Sequence, residues 1–249
     1  MKLKANKSCL EGDAICVNGV TVTYADVVAL WQINLDVSRG EYIGIAGPNA
    51  SGKTTLFKTI LGLTKPVEGQ VSIYGNLLKN LPKKTINKIA YVPQAHQIDQ
   101  YFPAKVKDVV LMGRYGINFL GSPLKKDDHE KVNNELKFVG MLEQKDRPIG
   151  HLSGGQLQKV LIARSLVREP EILLLDEPTS NLDFKITQEI TELITKLHEE
   201  RNLTVLTINH NLDLLRDSID RLVILNKRII YDGPPNGELV DQILYNTFF

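Results

Sequence analysis

The sequence has no long hydrophobic run and almost no net charge, and each absence excludes a class of protein. A membrane-spanning helix needs about 18 consecutive apolar residues, whereas candidate runs such as residues 172–175 are far shorter, so we expect the chain not to cross a membrane. Lys and Arg number 30 and Asp and Glu 29, which gives a net charge of +1 and argues against a broad nucleic-acid-binding face. Residues 1–13 are basic but contain no apolar segment, so we expect them not to act as a secretory signal.

Cysteine is also scarce, since only Cys9 and Cys16 occur among 249 residues. Their spacing fits no zinc or redox motif, and we expect two free thiols in a reducing cytosol. The five histidines are scattered and form no ligand pair at helical spacing. Hydrophobic residues make up 43% of the chain and charged residues 24%, which is typical of a globular protein large enough to bury a core without disulfides or metals.

Hydrophobic periodicity divides the chain into an α/β core and an inserted helical segment. Residues 95–168 contain helical patterns at 125–142 and 156–168 and no strand-like run. The rest alternates strands with helices, which predicts a largely parallel sheet covered by helices. The predicted strands are 20–24, 33–37, 42–46, 70–74, 89–92, 172–175 and 203–208, with a hairpin at 221–225 and 228–231, and the predicted helices are 53–61 and one around 186–197.

Residues 47–54, Gly-Pro-Asn-Ala-Ser-Gly-Lys-Thr, match the phosphate-loop pattern G-x-x-x-x-G-K-[ST] between a strand and a helix. The glycines let the backbone wrap closely around phosphate oxygens, and the helix N-terminus favours an anion. Lys53 is placed to reach the β- and γ-phosphates, and Thr54 to put its hydroxyl on Mg²⁺. The residues expected to contact the nucleotide here are Gly47, Pro48, Asn49, Ala50, Ser51, Gly52, Lys53, Thr54 and Thr55.

Two acids follow the buried strand at 172–175. Placing Asp176 and Glu177 at the end of such a strand is costly unless a cation or a substrate compensates the charge. Asp176 is placed to hold Mg²⁺ directly or through water. Glu177 is placed to polarise the water that attacks the γ-phosphate.

A second glycine-containing loop, Leu152-Ser-Gly-Gly-Gln, opens the helix predicted at 156–168. A serine and two glycines at a helix N-terminus form another anion site. This predicts that Ser153, Gly154, Gly155 and Gln156 also contact a phosphate.

With these motifs in this order, the chain resembles the ATP-binding subunits of ATP-binding cassette (ABC) transporters over about residues 14–240. The resemblance implies an α/β fold of the P-loop NTPase type, a mainly parallel sheet with flanking helices. It also implies an N-terminal antiparallel β subdomain and an inserted α-helical signature subdomain at 95–168, between core segments 14–94 and 169–240. Residues 1–13 and 241–249 are then terminal tails.

The resemblance also assigns roles that the residues alone would not support. Tyr24 corresponds to the aromatic residue that stacks on adenine, and His210 to the histidine that contacts the γ-phosphate. Gln94 corresponds to the glutamine that links Mg²⁺ or water to the helical subdomain. Asp183 belongs to a loop at 180–183 that crosses to a partner subunit. The implied catalytic residues are thus Glu177, His210, Gln94 and Lys53, and the implied Mg²⁺ ligands are Thr54, Gln94 and Asp176.

In this family the loop that corresponds to residues 152–156, the signature loop, acts on ATP held by a second subunit. This implies a head-to-tail homodimer that binds two ATP with Mg²⁺. Because no membrane span is present, the resemblance further implies a separate integral membrane permease, a solute-binding protein that acts indirectly, and no nucleic-acid partner. The chain would then be peripheral, at the cytoplasmic face of the membrane.

Two positions depart from the family pattern. Ala50 stands where glycine is usual, which costs about 1 kcal/mol if the site needs a positive φ. Asn211 follows His210 where aspartate is common. No catalytic position is lost, so we expect both ATP sites of the implied homodimer to be competent for hydrolysis.

Residues 102–116, Phe-Pro-Ala-Lys-Val-Lys-Asp-Val-Val-Leu-Met-Gly-Arg-Tyr-Gly, resemble the permease-facing segment of manganese, zinc and iron importers. The iron-siderophore, haem and cobalamin importers are an alternative, and the segment could also serve only to pack the helical subdomain. A soluble non-transport ABC ATPase acting on ribosomes or DNA is a further alternative, although such proteins usually carry two cassettes. A non-hydrolysing adaptor is disfavoured by the complete set of implied catalytic residues.

Overall fold

The computed structural model describes residues 12–94, 102–115, 125–209 and 214–248, which contain ten strands and seven α-helices. The strands are β1 (Asp13–Tyr24), β2 (Val27–Ser38), β3 (Tyr42–Ala46), β4 (Glu68–Ile73), β5 (Asn76–Leu77), β6 (Ile89–Val92), β7 (Ile172–Asp176), β8 (Thr204–Ile208), β9 (Arg221–Asn226) and β10 (Arg228–Gly233). The helices are α1 (Lys53–Ile60), α2 (Lys83–Ile86), α3 (Val106–Met112), α4 (Lys126–Phe138), α5 (Gly154–Leu166), α6 (Phe184–Arg201) and α7 (Glu238–Phe248).

The larger sheet has the strand order β10-β9-β3-β8-β7-β6. All neighbouring pairs from β9 to β6 are parallel, and only β10 runs antiparallel, to β9. Strands β3, β7 and β8 are buried along their whole length, as the mainly apolar sequences of strands in a sheet covered on both faces require. The predicted α/β fold is therefore confirmed, and the loops after β3, β6, β7 and β8 open at one edge of the sheet, where α/β proteins bind ligands.

A second, antiparallel sheet has the order β2-β1-β4-β5. Buried residues of β1 and β2 form one hydrophobic cluster with α1 and one face of the larger sheet, and the burial alternates along β2 at residues 33, 35 and 37. Phe57 and Ile60 of α1 are fully buried in that cluster. Helix α1 is thereby fixed between the two sheets, with its N-terminus at the loop that follows β3.

Helices α3, α4 and α5 lie between β6 and β7 in the chain and share a second cluster on the opposite face of the larger sheet. Arg114, just after α3, forms a buried ion pair with Asp128 of α4 at 2.7 Å and donates to the carbonyl of Val167, after α5, at 3.0 Å. Helix α4 ends at Phe138 rather than at 142, because Val139 leaves the helical region and Gly140 follows with φ of 71°.

The C-terminal segment differs from the predicted tail at 241–249. Residues 238–248 form α7, in which Val240 is 2% exposed and Ile243 and Leu244 pack against the second cluster. Arg216 pairs with Asp241 at 2.6 Å. The amphipathic spacing of Val240, Ile243 and Leu244 was the signal for this helix.

Cys16 is buried in β1 and disulfide-bonded, so the prediction of two free thiols is wrong. Cys9 lies outside the described residues. Motif spacing could not reveal this bond, because a disulfide depends on how closely two side chains approach after folding.

Within the described ranges, no helix combines the length and the apolar character needed to cross a bilayer.

Candidate active site

The loop after β3 forms a narrow backbone cradle at the N-terminus of α1. A Cβ atom on Gly47 would lie 2.0 Å from the carbonyl oxygen of Leu225, and one on Gly52 would lie 2.6 Å from that of Ala29. Gly52 also has φ of 102°, so both positions need glycine. The hydroxyl of Ser51 is buried and finds no partner among the described residues. The cradle therefore presents an unsatisfied polar group and a helix N-terminus, which suits an anion.

Ala50 lies at the exposed turn of this loop with φ of 61°. The position therefore does require the left-handed region that glycine adopts most easily. The conditional cost inferred from the sequence, about 1 kcal/mol, applies to this chain. The backbone N–H of residue 50 is retained.

Lys53 carries the positive charge of the cradle. Its side chain is 6% exposed, and Nζ donates to the carbonyl oxygens of Gly47 at 2.8 Å and Pro48 at 3.0 Å. Burial lowers the pKa of Lys53, although the nearby carboxylates of Glu177 and Asp176 act in the opposite direction. The ammonium group therefore lies at the loop. A bound phosphate would offer this group a full negative charge as its hydrogen-bond partner in place of the two carbonyl dipoles.

Asp176 ends β7 and is 1% exposed. Its Oδ1 accepts a hydrogen bond from the Thr54 hydroxyl at 3.3 Å, and its Oδ2 accepts one from the Tyr91 hydroxyl at 3.0 Å. Burial raises the pKa of Asp176, and the Glu177 charge adds to this, against the two hydrogen bonds and Lys53. A buried carboxylate beside a hydroxyl is the all-oxygen donor set that Mg²⁺ prefers, so these residues fit that cation.

Glu177 follows directly, with φ of 49° and its backbone N–H bonded to the carbonyl of Ile208 in β8 at 3.1 Å. A left-handed glutamate is sparsely populated and is typical of functional sites. Gln94 lies two residues beyond β6, half-buried, at the same edge of the sheet. His210 lies outside the described residues. Asn209 before it is buried and donates to the Thr179 hydroxyl at 3.2 Å.

Tyr24 ends β1 with its side chain 49% exposed. Its hydroxyl lies 3.3 Å from that of Thr64, in the loop beyond α1. An exposed aromatic ring held at one end is available for stacking on a base.

The signature loop begins α5 with a capping box. The Ser153 hydroxyl accepts from the backbone of Gln156 at 3.3 Å, and the Gln156 side chain accepts from the backbone of Ser153 at 3.0 Å. Gly155 is buried, and a Cβ atom there would lie 2.4 Å from Ile186 Cγ2 in α6. Gly155 is therefore required for helix packing, which leaves Ser153 and Gly154 as the exposed residues of the motif.

Asp183 is exposed at the N-terminus of α6 and caps it through a hydrogen bond from the backbone of Ile186 at 3.0 Å. The preceding residue, Leu182, approaches Gly154, since a Cβ atom added to Gly154 would lie 3.0 Å from Leu182 Cδ2. The N-termini of α5 and α6 therefore adjoin each other and open to solvent together.

The Gly-Arg-Tyr sequence after α3 divides between packing and surface. Gly113 is in close contact with α5, since a Cβ atom would lie 2.1 Å from the carbonyl of Arg164, and Arg114 is buried in its ion pair. Tyr115 is 60% exposed and Phe102 46% exposed. Gly113 and Arg114 therefore fit a role in packing the helical subdomain, whereas Phe102 and Tyr115 fit a surface that faces a permease.

Sequence reasoning missed Tyr91 and the Asn209–Thr179 pair. Tyr91 carries no motif of its own, and its contact with Asp176 depends on the pairing of β6 with β7. Only the position of Tyr91 three residues before Gln94 could have drawn attention to it.

Comparison with known proteins places these features in a family. A family model described as ABC transporter matches residues 30–180. The manganese transport system ATP-binding protein MntA of Synechocystis is 39% identical over 94% of this chain and 89% of its own length. The chelated iron transport system membrane protein YfeB of Yersinia pestis is 38% identical, over 94% and 78%. The zinc uptake system ATP-binding protein ZurA of Listeria monocytogenes is 39% identical, over 87% and 84%.

Solved structures share the architecture. One is cbiO1 from Clostridium perfringens, part of the ABC transporter complex cbiONQ, with a TM-score of 0.81 and 31% identity over 95% of this chain and 94% of that one. Another is a dimeric, post-hydrolysis state of the ATP-binding cassette MJ0796 bound to ADP and Pi, with a TM-score of 0.75 and 30% identity over 90% and 99%.

Proposed function

The chain belongs to the ABC transporter family as an ATP-hydrolysing subunit, and we propose that it drives the import of a divalent metal ion, manganese, zinc or iron. The main support for the ATPase chemistry is the cluster of Lys53, Thr54 and Asp176, which lies beside the glycine cradle at the edge of the sheet. The relatives named for manganese and zinc support the metal cargo. The division into a core, residues 14–94 and 169–240, and a helical subdomain, residues 95–168, is part of this proposal.

In this assignment the loop 47–55 holds the triphosphate, and Lys53 exchanges its loop carbonyls for the β- and γ-phosphate oxygens. Thr54, Asp176 and Gln94 are the residues that would hold Mg²⁺, which neutralises charge on those oxygens when bound. Glu177 orients and polarises the attacking water. His210 contacts the γ-phosphate, and Tyr24 stacks on adenine.

We assign a head-to-tail homodimer as the active form, in which the partner subunit contributes its signature loop to each ATP. The exposed positions of Ser153, Gly154 and Asp183 support this, because side chains at solvent-facing helix N-termini are available to a ligand held by another chain. The buried Gly155 and the capping Gln156 hold the loop in shape. The dimeric MJ0796 cassette is similar in structure.

The partners in transport follow from the same family assignment. We propose that a separate permease contacts the surface around Phe102 and Tyr115, both exposed beside α3, and that a solute-binding protein acts through that permease. The chain then lies at the cytoplasmic face of the membrane. A second candidate cargo is an iron chelate, which the similarity to YfeB favours.

The ATPase assignment is tested by Glu177→Gln in the purified full chain. We expect ATP binding to persist and the rate of phosphate release to fall by about 10²- to 10⁴-fold, because the water loses its general base. Lys53→Ala is the binding control and should remove most of the thermal stabilisation by ATP. Unchanged hydrolysis in Glu177→Gln would refute the role of Glu177.

The cargo is tested in cells whose chain is replaced by the Glu177→Gln variant. Loss of radiolabelled manganese or zinc uptake supports the divalent-ion assignment. Selective loss of iron-chelate uptake instead supports the second candidate, and unchanged uptake of all three contradicts an import function for these cargos.

A further inference from the structure

The carboxylate of Asp176 is held from two sides by different elements. Thr54 of α1 donates to Oδ1 at 3.3 Å, and Tyr91 of β6 donates to Oδ2 at 3.0 Å. Because Asp176 is 1% exposed, solvent has little access to replace either donor. The orientation of the carboxylate plane therefore depends on both hydroxyl groups.

The sheet explains how Tyr91 reaches this carboxylate. Strands β6 and β7 pair in parallel with Tyr91 opposite Leu174, so Asp176 lies two residues, about 7 Å, further along the neighbouring strand. The tyrosine side chain spans this offset toward the ligand edge.

We propose that Tyr91 is a positioning residue for Mg²⁺ coordination: by occupying Oδ2 of Asp176, it holds Oδ1 toward the Thr54 hydroxyl, where the cation binds. The inference rests on the proposed role of Asp176 and Thr54 as Mg²⁺ ligands. A hydroxyl that donates its proton to Oδ1 still has lone pairs for a cation. Partners that orient the ligands of a metal in this way commonly change its affinity by 10-fold or more.

Removing the hydroxyl leaves Oδ2 without its donor in a site where water is scarce. The carboxylate can then rotate about its Cβ–Cγ bond toward other donors, and Oδ1 is no longer held beside Thr54. Nucleotide phosphates are bound by the cradle and Lys53, which Tyr91 does not contact through any described hydrogen bond. The loss should therefore fall on the cation and spare nucleotide binding in its absence.

The test compares Tyr91→Phe with the unaltered full chain by binding of a fluorescent ATP analogue, in EDTA and along a Mg²⁺ titration. We expect the Mg²⁺ concentration for half-maximal enhancement of binding to rise about tenfold, with affinity in EDTA unchanged. Titration of Mn²⁺ by electron paramagnetic resonance, with the same nucleotide, gives a second measure of cation affinity.

Tyr42→Phe is the matched control. Tyr42 lies in β3 of the same sheet, is 0% exposed, and its hydroxyl has no partner among the described residues. Its loss should leave the Mg²⁺ dependence unchanged. In an Asp176→Asn background, the further change Tyr91→Phe should no longer shift the Mg²⁺ midpoint, because the two residues act as a unit.

A Tyr91→Phe variant with an unaltered Mg²⁺ midpoint overturns the inference. So does an equal loss of nucleotide affinity with and without Mg²⁺, since that would place the role of Tyr91 in the fold. If the unaltered chain itself shows no Mg²⁺-dependent nucleotide binding, the proposed function fails, which is a separate outcome.

Discussion

At the scale of single residues, Ala50 places a side chain where the backbone favours glycine. Its φ of 61° lies in the left-handed region. The free-energy cost of this conformation for alanine exceeds the cost of the additional conformational entropy that glycine would lose on folding. We expect Ala50→Gly to raise the free energy of unfolding by about 0.5–1 kcal/mol and the melting temperature by roughly 2 °C, measured by calorimetry without nucleotide.

The control for this substitution is Ala163→Gly in the buried interior of α5. The same change there should lower the free energy of unfolding by about 1 kcal/mol or more, because the backbone is already helical. If Ala50→Gly destabilises the chain as Ala163→Gly does, the left-handed conformation at residue 50 is contradicted.

Two glutamates far from the phosphate cradle have pKa values shifted in opposite directions. Burial raises the pKa of Glu41, helped by the Asp220 and Asp36 charges and opposed by the Ser38 backbone N–H and by Arg221. Burial also acts to raise the pKa of Glu171, but hydrogen bonds from Lys88 and Tyr74 outweigh it and leave that pKa lowered. The charged form of Glu41 is thus disfavoured by folding, and that of Glu171 is favoured.

These two shifts give the stability of the chain opposite dependences on pH. The stability that protonated Glu41 contributes is present below 4.5, the ordinary pKa of a glutamate, and is lost as the pH rises through the raised pKa of the folded state. Glu41→Gln should therefore melt at a higher temperature than the unaltered chain at pH 7. Stability from Glu171 is present above 4.5 and lost as the pH falls through the lowered pKa, so Glu171→Gln should melt at a lower temperature at pH 7. Both differences should shrink toward pH 4. Shifts of the same sign in the two variants would contradict this assignment.

At the scale of elements, the Arg114–Asp128 pair joins the end of α3 to α4, and the Val167 contact joins it to the end of α5. The side chains are 9% and 2% exposed, so removal of one charge strands the other in the interior. We expect Arg114→Ala to lower the free energy of unfolding by about 3–5 kcal/mol, measured by urea denaturation.

Two comparisons separate charge from packing in this pair. Arg114→Met with Asp128→Asn should cost less than Arg114→Ala alone, because no unpaired charge remains and the amide introduced at position 128 can still accept from the Lys125 backbone. Glu200→Gln breaks the exposed Lys196–Glu200 pair and should change stability by about 0.5 kcal/mol or less. A small effect of Arg114→Ala would mean that the pair does not fasten these helices.

The strands, helices and contacts differ in how far the sequence could predict them. The continuous apolar run at residues 172–175, the mainly apolar sequence of β8 and the phosphate-loop pattern predicted the sheet and the cradle. Parallel strands and close phosphate contact admit few alternatives. The Tyr91–Asp176 bond and the Arg114–Asp128 pair were not predictable, since each joins residues brought together only by packing. The early end of α4 depended on the left-handed Gly140.

At the scale of the whole molecule, the proposed head-to-tail dimer makes a prediction that no single chain can satisfy. Lys53→Ala disables the cradle, and Ser153→Arg disables the exposed signature loop, so each variant alone should be inactive. In a mixture, the heterodimer pairs the intact cradle of one chain with the intact loop of the other. We expect equal amounts of the two to recover up to about a quarter of normal phosphate release, because half of the dimers carry one complete site out of two.

The recovery identifies the composite site because the matched mixture cannot produce it. Lys53→Ala mixed with the double variant Lys53→Ala/Ser153→Arg contains no intact cradle and should stay inactive. Binding of ATP by Ser153→Arg alone establishes that the lost N-cap of α5, worth about 1 kcal/mol, has not unfolded the cradle. If the complementary mixture stays inactive while both variants are folded, the two motifs do not meet across an interface, and the head-to-tail arrangement is wrong even though the cradle chemistry of Lys53 and Asp176 stands.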